Sequence, residues 1–142
     1  ANPGKIPAEI SDTVARGKYL FTIAACHECH TPLEKGKFDE SFAMAGGREC
    51  KIPGGILHSA NITPDKQTGI GNWTREMFVE RFTQYRDSAN AHRPVKPGEL
   101  QTIMPWTMYA TMKDQDLNNI YSYIRTLTPI RHEVLKFQAS AK

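Results

Sequence analysis

The sequence lacks the patterns that mark several large classes of protein. No window approaches the roughly 18 apolar residues that a membrane span needs. Convincing β-type alternation is missing, which favours an all-α fold with long loops. Lysines and arginines form no clustered stripe with interleaved aromatic residues, so nucleic-acid binding is not indicated. The formal net charge of +3 is small and at most favours an acidic partner.

The remaining composition is that of an ordinary globular protein. The chain has 142 residues, of which 39% are apolar and 23% are charged, as in many single-domain proteins. No internal repeat is visible. We therefore expect one domain over residues 1–142, with a core at about residues 10–128 and a C-terminal tail at residues 129–142.

One short motif carries a specific chemical signal. Residues 26–30 read Cys-His-Glu-Cys-His, and two cysteines three apart followed directly by a histidine form the attachment sequence of a covalent c-type haem. The spacing lets both thiols reach neighbouring vinyl groups from one face of the porphyrin. His30 then lies where a neutral imidazole nitrogen can bind the iron. We expect Cys26 and Cys29 to carry one haem, because the motif occurs once.

Other uses of the same residues remain open. A thioredoxin-like dithiol would open a helix after a strand in a βαβ pattern, and this pattern is absent. Zinc could bind Cys26, Cys29 and two histidines, although no second ligand pair follows at finger-like spacing. A disulfide between two cysteines so close would be strained. Cys50 is left over, and we interpret it as a buried thiol rather than as a dimer bridge or a reactive site.

Helical spacing and capping residues predict three main helices, at about residues 6–25, 74–86 and 113–127. Thr74 is a good N-cap for the second helix, and Pro129 ends the third. Glycines and prolines predict irregular loops in the long stretches between them. The tail is expected to lie along the surface through three apolar residues, Val134, Leu135 and Phe137.

The sequence resembles the small class I cytochromes c beyond the haem motif. Residues 17–21, Gly-Lys-Tyr-Leu-Phe, look like the first helix of that family, and residues 116–124 look like its C-terminal helix. In this resemblance Ile120 and Tyr123 occupy the contact positions, and Gly17 lets the two helix backbones approach closely. The resemblance implies an all-α class I cytochrome c fold, in which the N- and C-terminal helices cross and long loops surround one covalent haem.

Three loop motifs narrow the resemblance. Residues 61–65 (Asn-Ile-Thr-Pro-Asp), 68–73 (Thr-Gly-Ile-Gly-Asn-Trp) and 104–106 (Met-Pro-Trp) look like parts of the cytochrome c subunits and partner cytochromes of periplasmic dehydrogenases. The whole resemblance covers roughly residues 10–128. It implies an electron carrier, not an enzyme, that meets a redox protein partner such as a dehydrogenase or a terminal oxidase or reductase. We expect a monomer or a transient complex, with no membrane span and no nucleic-acid partner.

Two other functions are compatible with a haem motif. A haem enzyme or gas sensor would have a five-coordinate iron, but the four-helix cytochromes of that type carry the motif near the C-terminus. A cytochrome module docked permanently on a dehydrogenase would use its haem as a fixed relay. The start of the sequence bears on the compartment: it reads Ala-Asn-Pro, without a methionine or a signal peptide, as expected after removal of a secretory segment. Since bacteria attach covalent haem outside the cytoplasmic membrane, we expect a periplasmic protein.

The second axial ligand of the iron is expected to be a methionine, because a thioether raises the iron potential and suits an electron carrier. Met104 begins a Met-Pro pair about ten residues before the last helix, which resembles the distal loop of the family. We therefore predict His30 and Met104 as the metal ligands. Met112, directly before that helix, is the main alternative. Weaker candidates are Met108, His58 and His92.

Further residues are expected to contact the haem periphery or its ligands. In the family an indole N–H in the middle of the chain often donates to a buried propionate, and Trp73 follows His30 at a similar spacing. Packing on the haem edge is the alternative for Trp73. Arg48 is a weaker candidate for a propionate contact. The carbonyl of Pro32 or Pro53 is expected to accept the free N–H of the proximal imidazole.

Overall fold

A computed structural model of the chain describes residues 10–100 and 102–140. These residues contain six α-helices, two 3-10 turns and five short β-strands. The helices are α1 (Thr13–Ile23), α2 (Cys26–His30), α3 (Arg75–Thr83), α4 (Ser88–Ala91), α5 (Trp106–Tyr109) and α6 (Asp114–Ile124). The 3-10 turns lie at Glu40–Phe42 and Gln84–Arg86. None of the helices in these ranges has the length and apolar character needed to cross a membrane.

Helix α1 begins at a side-chain cap. The Asp12 carboxylate accepts a hydrogen bond from the Ala15 N–H at 2.6 Å and so satisfies one of the free N–H groups at the start of the helix. The predicted start at Ile6 lies outside the described residues, but residues 10–12 are not helical, so the prediction is wrong there and α1 begins at Thr13. The helix ends at Ile23, earlier than predicted, because Ala25 adopts a left-handed conformation (φ 56°, ψ 34°) that a right-handed helix cannot contain.

The other two predicted helices also form. The Thr74 hydroxyl accepts a hydrogen bond from the Met77 N–H at 3.2 Å and caps α3, and the 3-10 turn that follows carries the helical path to Arg86, as predicted. Helix α6 ends at Ile124, shortly before the predicted Leu127. Two short helices, α4 and α5, occupy part of the stretch predicted as a loop.

Helices α1 and α6 pack directly against one another. Phe21 and Tyr123 meet edge to face, with ring centroids 5.2 Å apart. Gly17 has no room for a side chain, because a Cβ there would overlap the backbone carbonyl of Asn119. Together with α3 and the loop before it, these helices build a core of buried apolar side chains: Leu20, Phe21, Ile70, Phe78, Ile120 and Ile124.

The described fold is not all-α, which corrects the prediction from sequence. Strands β1 (Leu33–Glu34) and β2 (Lys37–Phe38) form an antiparallel hairpin. Strands β3 (Glu49–Ile52), β4 (Gly55–His58) and β5 (Phe137–Ala139) form a second antiparallel sheet in that order. Each strand has only two to four residues, which is too short for an alternating pattern to stand out in the sequence.

The C-terminal tail contributes the third strand of this sheet. Strand β5 pairs with β4, with Phe137 opposite Leu57. Of the residues expected to lie along the surface, Phe137 is half-buried against Gly55, whereas Leu135 is 70% exposed. The tail is therefore fixed by backbone pairing as well as by apolar contact.

Candidate haem-binding site

The cysteine–histidine motif forms one short helix, α2. Ala25, in its left-handed conformation, separates α1 from α2, and its carbonyl accepts a hydrogen bond from the Cys29 N–H at 3.2 Å. Cys26, Cys29 and His30 thus share a single five-residue helix. At the end of this helix the Gly46 N–H donates to the His30 carbonyl at 2.7 Å. The motif is therefore anchored at both ends by backbone hydrogen bonds.

Both thiols of the motif are free, as covalent attachment requires. Cys26 is half-buried and packs against the core. Burial, with smaller contributions from Cys29 and Glu28, raises the pKa of the Cys26 thiol to about 12. Cys29 is exposed. A group bound to both sulfurs would therefore extend from the apolar core to the protein surface.

The imidazole of His30 is held in one tautomer. Its Nδ1 lies 2.7 Å from the Ala60 carbonyl oxygen, and since a carbonyl can only accept, Nδ1 carries the proton. Burial lowers the pKa of His30, with the Ala60 contact acting in the opposite direction, so the ring is neutral at pH 7 and its Nε2 lone pair can bind a metal. The prediction that the carbonyl of Pro32 or Pro53 accepts this N–H is wrong, because the acceptor is the Ala60 carbonyl. The Pro32 carbonyl instead accepts from the Asp39 N–H at 3.0 Å.

The other histidine of the motif has a surface environment. His27 Nε2 lies 3.0 Å from the Glu40 carboxylate, and its ring meets Phe38 with centroids 5.2 Å apart. Among the described residues, no group of three or more histidine, cysteine, aspartate and glutamate side chains could hold a metal ion. The zinc alternative therefore gains no support, and the dithiol alternative lacks its preceding strand because α2 follows α1.

The candidate distal methionines lie in different environments. Met112 packs against the apolar core, and its carbonyl accepts from the Arg86 guanidinium at 2.8 Å. Met104 is half-exposed just before α5, and its carbonyl accepts from the Trp106 N–H at 2.8 Å. Met108 is 69% exposed. Met112 thus has the surroundings of a packing residue, whereas the Met104 side chain is not part of the core cluster formed by the described residues.

The weaker candidates have other contacts. His58 Nδ1 lies 3.0 Å from a backbone carbonyl of the C-terminal segment, and His92 is exposed after α4. Arg48 donates to the Glu28 carbonyl on the surface of α2. Cys50 on β3 is half-buried, not fully buried as expected.

Helix α5 is hydrogen-bonded to the residues before the haem motif through Tyr109, which no sequence pattern marks. The Tyr109 hydroxyl donates to the Ala24 carbonyl at 2.7 Å, two residues before Cys26. Burial raises the pKa of Tyr109, and Cys26 and Cys29 add to that rise, which reflects how close the phenol lies to the two thiols. Helix α5 begins two residues after Met104, so this contact ties the helix that follows Met104 to the residues before the motif.

The two tryptophans differ in their hydrogen bonding. Trp73 is half-buried against the core, and its backbone carbonyl accepts from the Tyr121 hydroxyl at 2.8 Å. Trp106 has its indole N–H buried without an acceptor among the described residues. Its ring stacks on Tyr85 at 5.3 Å and lies 4.1 Å from the Arg81 Cζ. Since buried N–H groups rarely lack acceptors, Trp106 is a donor available to a ligand, and sequence reasoning did not select it.

The loop that follows Ala60 is held by its own side chains. The Asn61 Oδ1 accepts from the Thr63 N–H at 2.9 Å and from the Thr63 hydroxyl at 2.7 Å. The Asp65 carboxylate accepts from the Thr68 N–H at 2.6 Å and from its hydroxyl at 2.8 Å. These bonds from Thr68 lower the pKa of Asp65. The Asn-Ile-Thr-Pro-Asp segment therefore shapes the loop that begins next to Ala60. The Ala60 carbonyl is the acceptor for the His30 imidazole.

The surroundings have the chemistry that a haem requires. Helix α2 carries two free thiols and a neutral imidazole with an available Nε2. The buried indole N–H of Trp106 has no acceptor among the described residues. Haem also needs an apolar surface that it can cover. Several apolar side chains pack on the same core as Cys26 yet are only partly buried, namely Met44, Ile62, Trp73 and Phe82. The residues present fit a covalently held haem.

Comparison with known families agrees with this geometry. The sequence model of the cytochrome c family matches residues 14–128, which include the motif, the loops and both packed helices. The chain belongs to the cytochrome c family. This family binds haem c covalently and functions in electron transfer.

Several relatives of this cytochrome c are subunits of dehydrogenases. It is 35% identical over 114 residues to the fructose dehydrogenase cytochrome subunit of Gluconobacter japonicus, which covers 80% of this chain and 21% of the relative. It is 36% identical over 111 residues to the gluconate 2-dehydrogenase cytochrome c subunit of Pantoea cypripedii, which covers 78% of this chain and 22% of the relative. It is 32% identical over 112 residues to the cytochrome c subunit of the quinone alcohol dehydrogenase of Gluconobacter oxydans, which covers 78% of this chain and 20% of the relative. The chain thus spans about a fifth of the length of these relatives.

Proposed function

We propose that this cytochrome c is an electron carrier with one covalent haem and with His30 and Met104 as axial ligands. Cys26 and Cys29 hold the haem through thioether bonds. The observation that carries the proposal is the 2.7 Å contact between His30 Nδ1 and the Ala60 carbonyl, because it fixes the tautomer whose Nε2 can bind iron. Haem c, when bound, supplies an iron that alternates between ferrous and ferric states.

Met104 is proposed as the distal ligand on two observations. The hydrogen bond from Tyr109 to Ala24 ties α5, which begins two residues after Met104, to the residues before the haem motif. Met112, the alternative, is already engaged in packing against the core. With both axial positions filled, the protein would offer no open site for a substrate, which fits a carrier rather than an enzyme.

Two indoles are proposed to contact the haem. Trp73 keeps the role implied by the family resemblance, as a propionate donor or an edge contact, and its half-buried position against the core supports either. Trp106 has the stronger need for an acceptor, because its N–H is buried without a partner among the described residues. We also propose the class I arrangement of crossing terminal helices, which the close approach of Gly17 to Asn119 supports.

The proposed partner is a redox protein, a dehydrogenase or a terminal oxidase or reductase, met in the periplasm after removal of a signal peptide. The names of the relatives, as cytochrome subunits of fructose, alcohol and gluconate dehydrogenases, support a dehydrogenase. The carrier would act as a monomer in transient complexes. A second candidate is a module docked permanently on a dehydrogenase, favoured because the matched relatives are themselves subunits and are about four times as long as this chain.

The test uses the mature protein from a host that attaches haem c. We expect an intact mass that exceeds the polypeptide by one haem after acid extraction, and a low-spin spectrum with a sulfur-to-iron band. The reduced protein should bind carbon monoxide slowly, because Met104 must leave first. Release of the haem into acidified organic solvent would contradict covalent attachment. Fast carbon monoxide binding at neutral pH would favour a sensor or an enzyme, and co-purification with a dehydrogenase would favour the docked module.

A further inference from the structure

Residues 130–132, which precede β5, lie outside the stretch that matches the cytochrome c family. They make polar contacts with the side chains of buried residues. We call Ile130–His132 the C-terminal strap. The Asn61 amide donates to the Ile130 carbonyl at 2.8 Å and to the His132 carbonyl at 3.4 Å. The Ile130 N–H donates to the Thr63 hydroxyl at 3.2 Å. Both Asn61 and Thr63 are buried, so these bonds are shielded from water and would be costly to lose.

The side chain of His132 extends the strap to a second loop. Its Nδ1 lies 3.1 Å from the carbonyl of Ala45, which is fully buried. Its ring packs on Phe42, with centroids 4.8 Å apart. A Cβ on Gly47 would come within 2.8 Å of the His132 Cε1. The imidazole is therefore closely fitted against the loop that contains residues 45–47.

Both attachment points of the strap adjoin the residues that hold His30. Ala45 precedes Gly46, whose N–H donates to the His30 carbonyl at 2.7 Å. Asn61 follows Ala60, whose carbonyl accepts from the His30 imidazole at 2.7 Å. Gly46, at φ 76°, packs so closely on Ala60 that a side chain there would overlap the Ala60 backbone. The two loops thus pack on each other and together hold His30, one through its carbonyl and the other through its imidazole.

We propose that the C-terminal strap positions the proximal haem ligand, by holding Asn61 and Ala45 so that the Ala60 carbonyl stays hydrogen-bonded to the His30 imidazole. The inference rests on the proposed function, in which His30 binds the iron. Asn61 and His132 are then positioning residues, because neither touches the imidazole itself. Their effect passes through the Ala60 carbonyl and the Gly46 N–H.

A positioning role has a redox signature. A carbonyl that accepts from the Nδ1–H makes the imidazole a better electron donor to iron, and a better donor favours the ferric state. Loosening the strap should weaken this hydrogen bond and raise the reduction potential. Loss of an axial ligand would instead change the spin state, so the two effects are distinguishable in the optical spectrum.

The test compares Asn61→Ala and His132→Ala in the haem-loaded protein. We expect the reduction potential of both variants to shift upward with the low-spin spectrum retained, and the His30 Nδ1 proton of the reduced protein to exchange about tenfold faster, as expected for the loss of one hydrogen bond. His132→Asn should restore much of the wild-type potential, because an amide can also donate to the Ala45 carbonyl. Asn72→Ala is the matched control, since it removes a 2.9 Å bond from an asparagine amide to the Lys66 carbonyl in an exposed loop.

The outcomes separate the strap from the function it rests on. Asn61 is buried, so His132→Ala keeps the test valid if Asn61→Ala fails to fold. An unchanged potential and an unchanged exchange rate in folded His132→Ala would overturn the positioning role while leaving the haem assignment intact. A wild-type protein without a low-spin, histidine-ligated haem would overturn the proposed function itself.

Discussion

Gly17 on α1 packs directly on the backbone carbonyl of Asn119 on α6, at a distance that leaves no space for even a methyl group. One residue earlier, the Arg16 guanidinium pairs with the Asp116 carboxylate at 3.1 Å, with the side chains 21% and 22% exposed. The two contacts bring the helix backbones together at one junction. That junction supports the core against which Cys26 packs.

Replacing Gly17 with alanine tests this junction. Alanine is the better helix former by about 0.5–1 kcal/mol, but its Cβ would force the backbones of α1 and α6 apart. We expect a net loss in the free energy of unfolding of about 1–3 kcal/mol, measured by urea denaturation. Lys18→Ala, at the exposed neighbouring position, is the control and should change stability little. Equal midpoints for Gly17→Ala and the wild type would show that the helices are not in close contact.

The distal ligand is tested by comparing two methionine variants. Met104→Ala should abolish the sulfur-to-iron band and lower the reduction potential, because water or a nitrogen ligand favours ferric iron more than a thioether does. Met112→Ala should leave the band in place and cost about 2–5 kcal/mol of stability through lost packing. Met77→Ala, at a residue 49% exposed on α3, is a control for methionine removal. The reverse pattern would assign the ligand to Met112.

The two tryptophans are tested by exchanging each for phenylalanine, which keeps an aromatic ring and removes the N–H. Loss of a donor to a haem propionate should raise the propionate pKa, because the ionised form loses a hydrogen bond. The pH range over which the reduction potential varies should then move upward. We expect this shift in Trp106→Phe, whose N–H is buried without an acceptor among the described residues. A shift in Trp73→Phe alone would assign the contact to the indole that the family resemblance selected.

The Asp65 carboxylate predicts a pH dependence of stability. Hydrogen bonds from the Thr68 backbone and hydroxyl lower its pKa in the folded protein, so this contribution is present above the unfolded pKa, about 3.9, and is lost as the pH falls through the folded value. Asp65→Asn should lower the melting temperature at pH 7. The difference from the wild type should shrink as the pH falls below the unfolded pKa of Asp65. A difference that stays constant from pH 7 to pH 2.5 would show that ionisation of Asp65 contributes nothing.

Features fixed by neighbouring residues could be predicted from the sequence. The N-cap of α3 is local, because the Thr74 hydroxyl accepts a hydrogen bond from the N–H of a residue only three positions later. The haem motif is equally local, because Cys26, Cys29 and His30 share one turn of helix. Gly17 was identified through resemblance, and its close contact on α6 agrees with that identification.

Features that join distant parts of the chain could not be predicted in this way. The acceptor for His30 is the carbonyl of Ala60, a backbone atom whose position does not depend on the alanine side chain. Strand β5 has three residues and pairs with β4 about 80 residues earlier, so no local pattern marks it. The Trp106 ring lies against Arg81 of α3 and Tyr85 of the 3-10 turn that follows it, and no pattern near Trp106 in the sequence indicates these contacts.

The pairing of α1 with α6 also constrains the order of folding. The Arg16–Asp116 contact joins residues 100 positions apart, and contacts of such long sequence separation form slowly because a large loop must close first. The core against which Cys26 packs is therefore incomplete until α6 (Asp114–Ile124) has formed and closed on α1. If Cys26 and Cys29 carry the haem, as proposed, attachment before α6 closes on α1 takes place beside a core that is not yet packed.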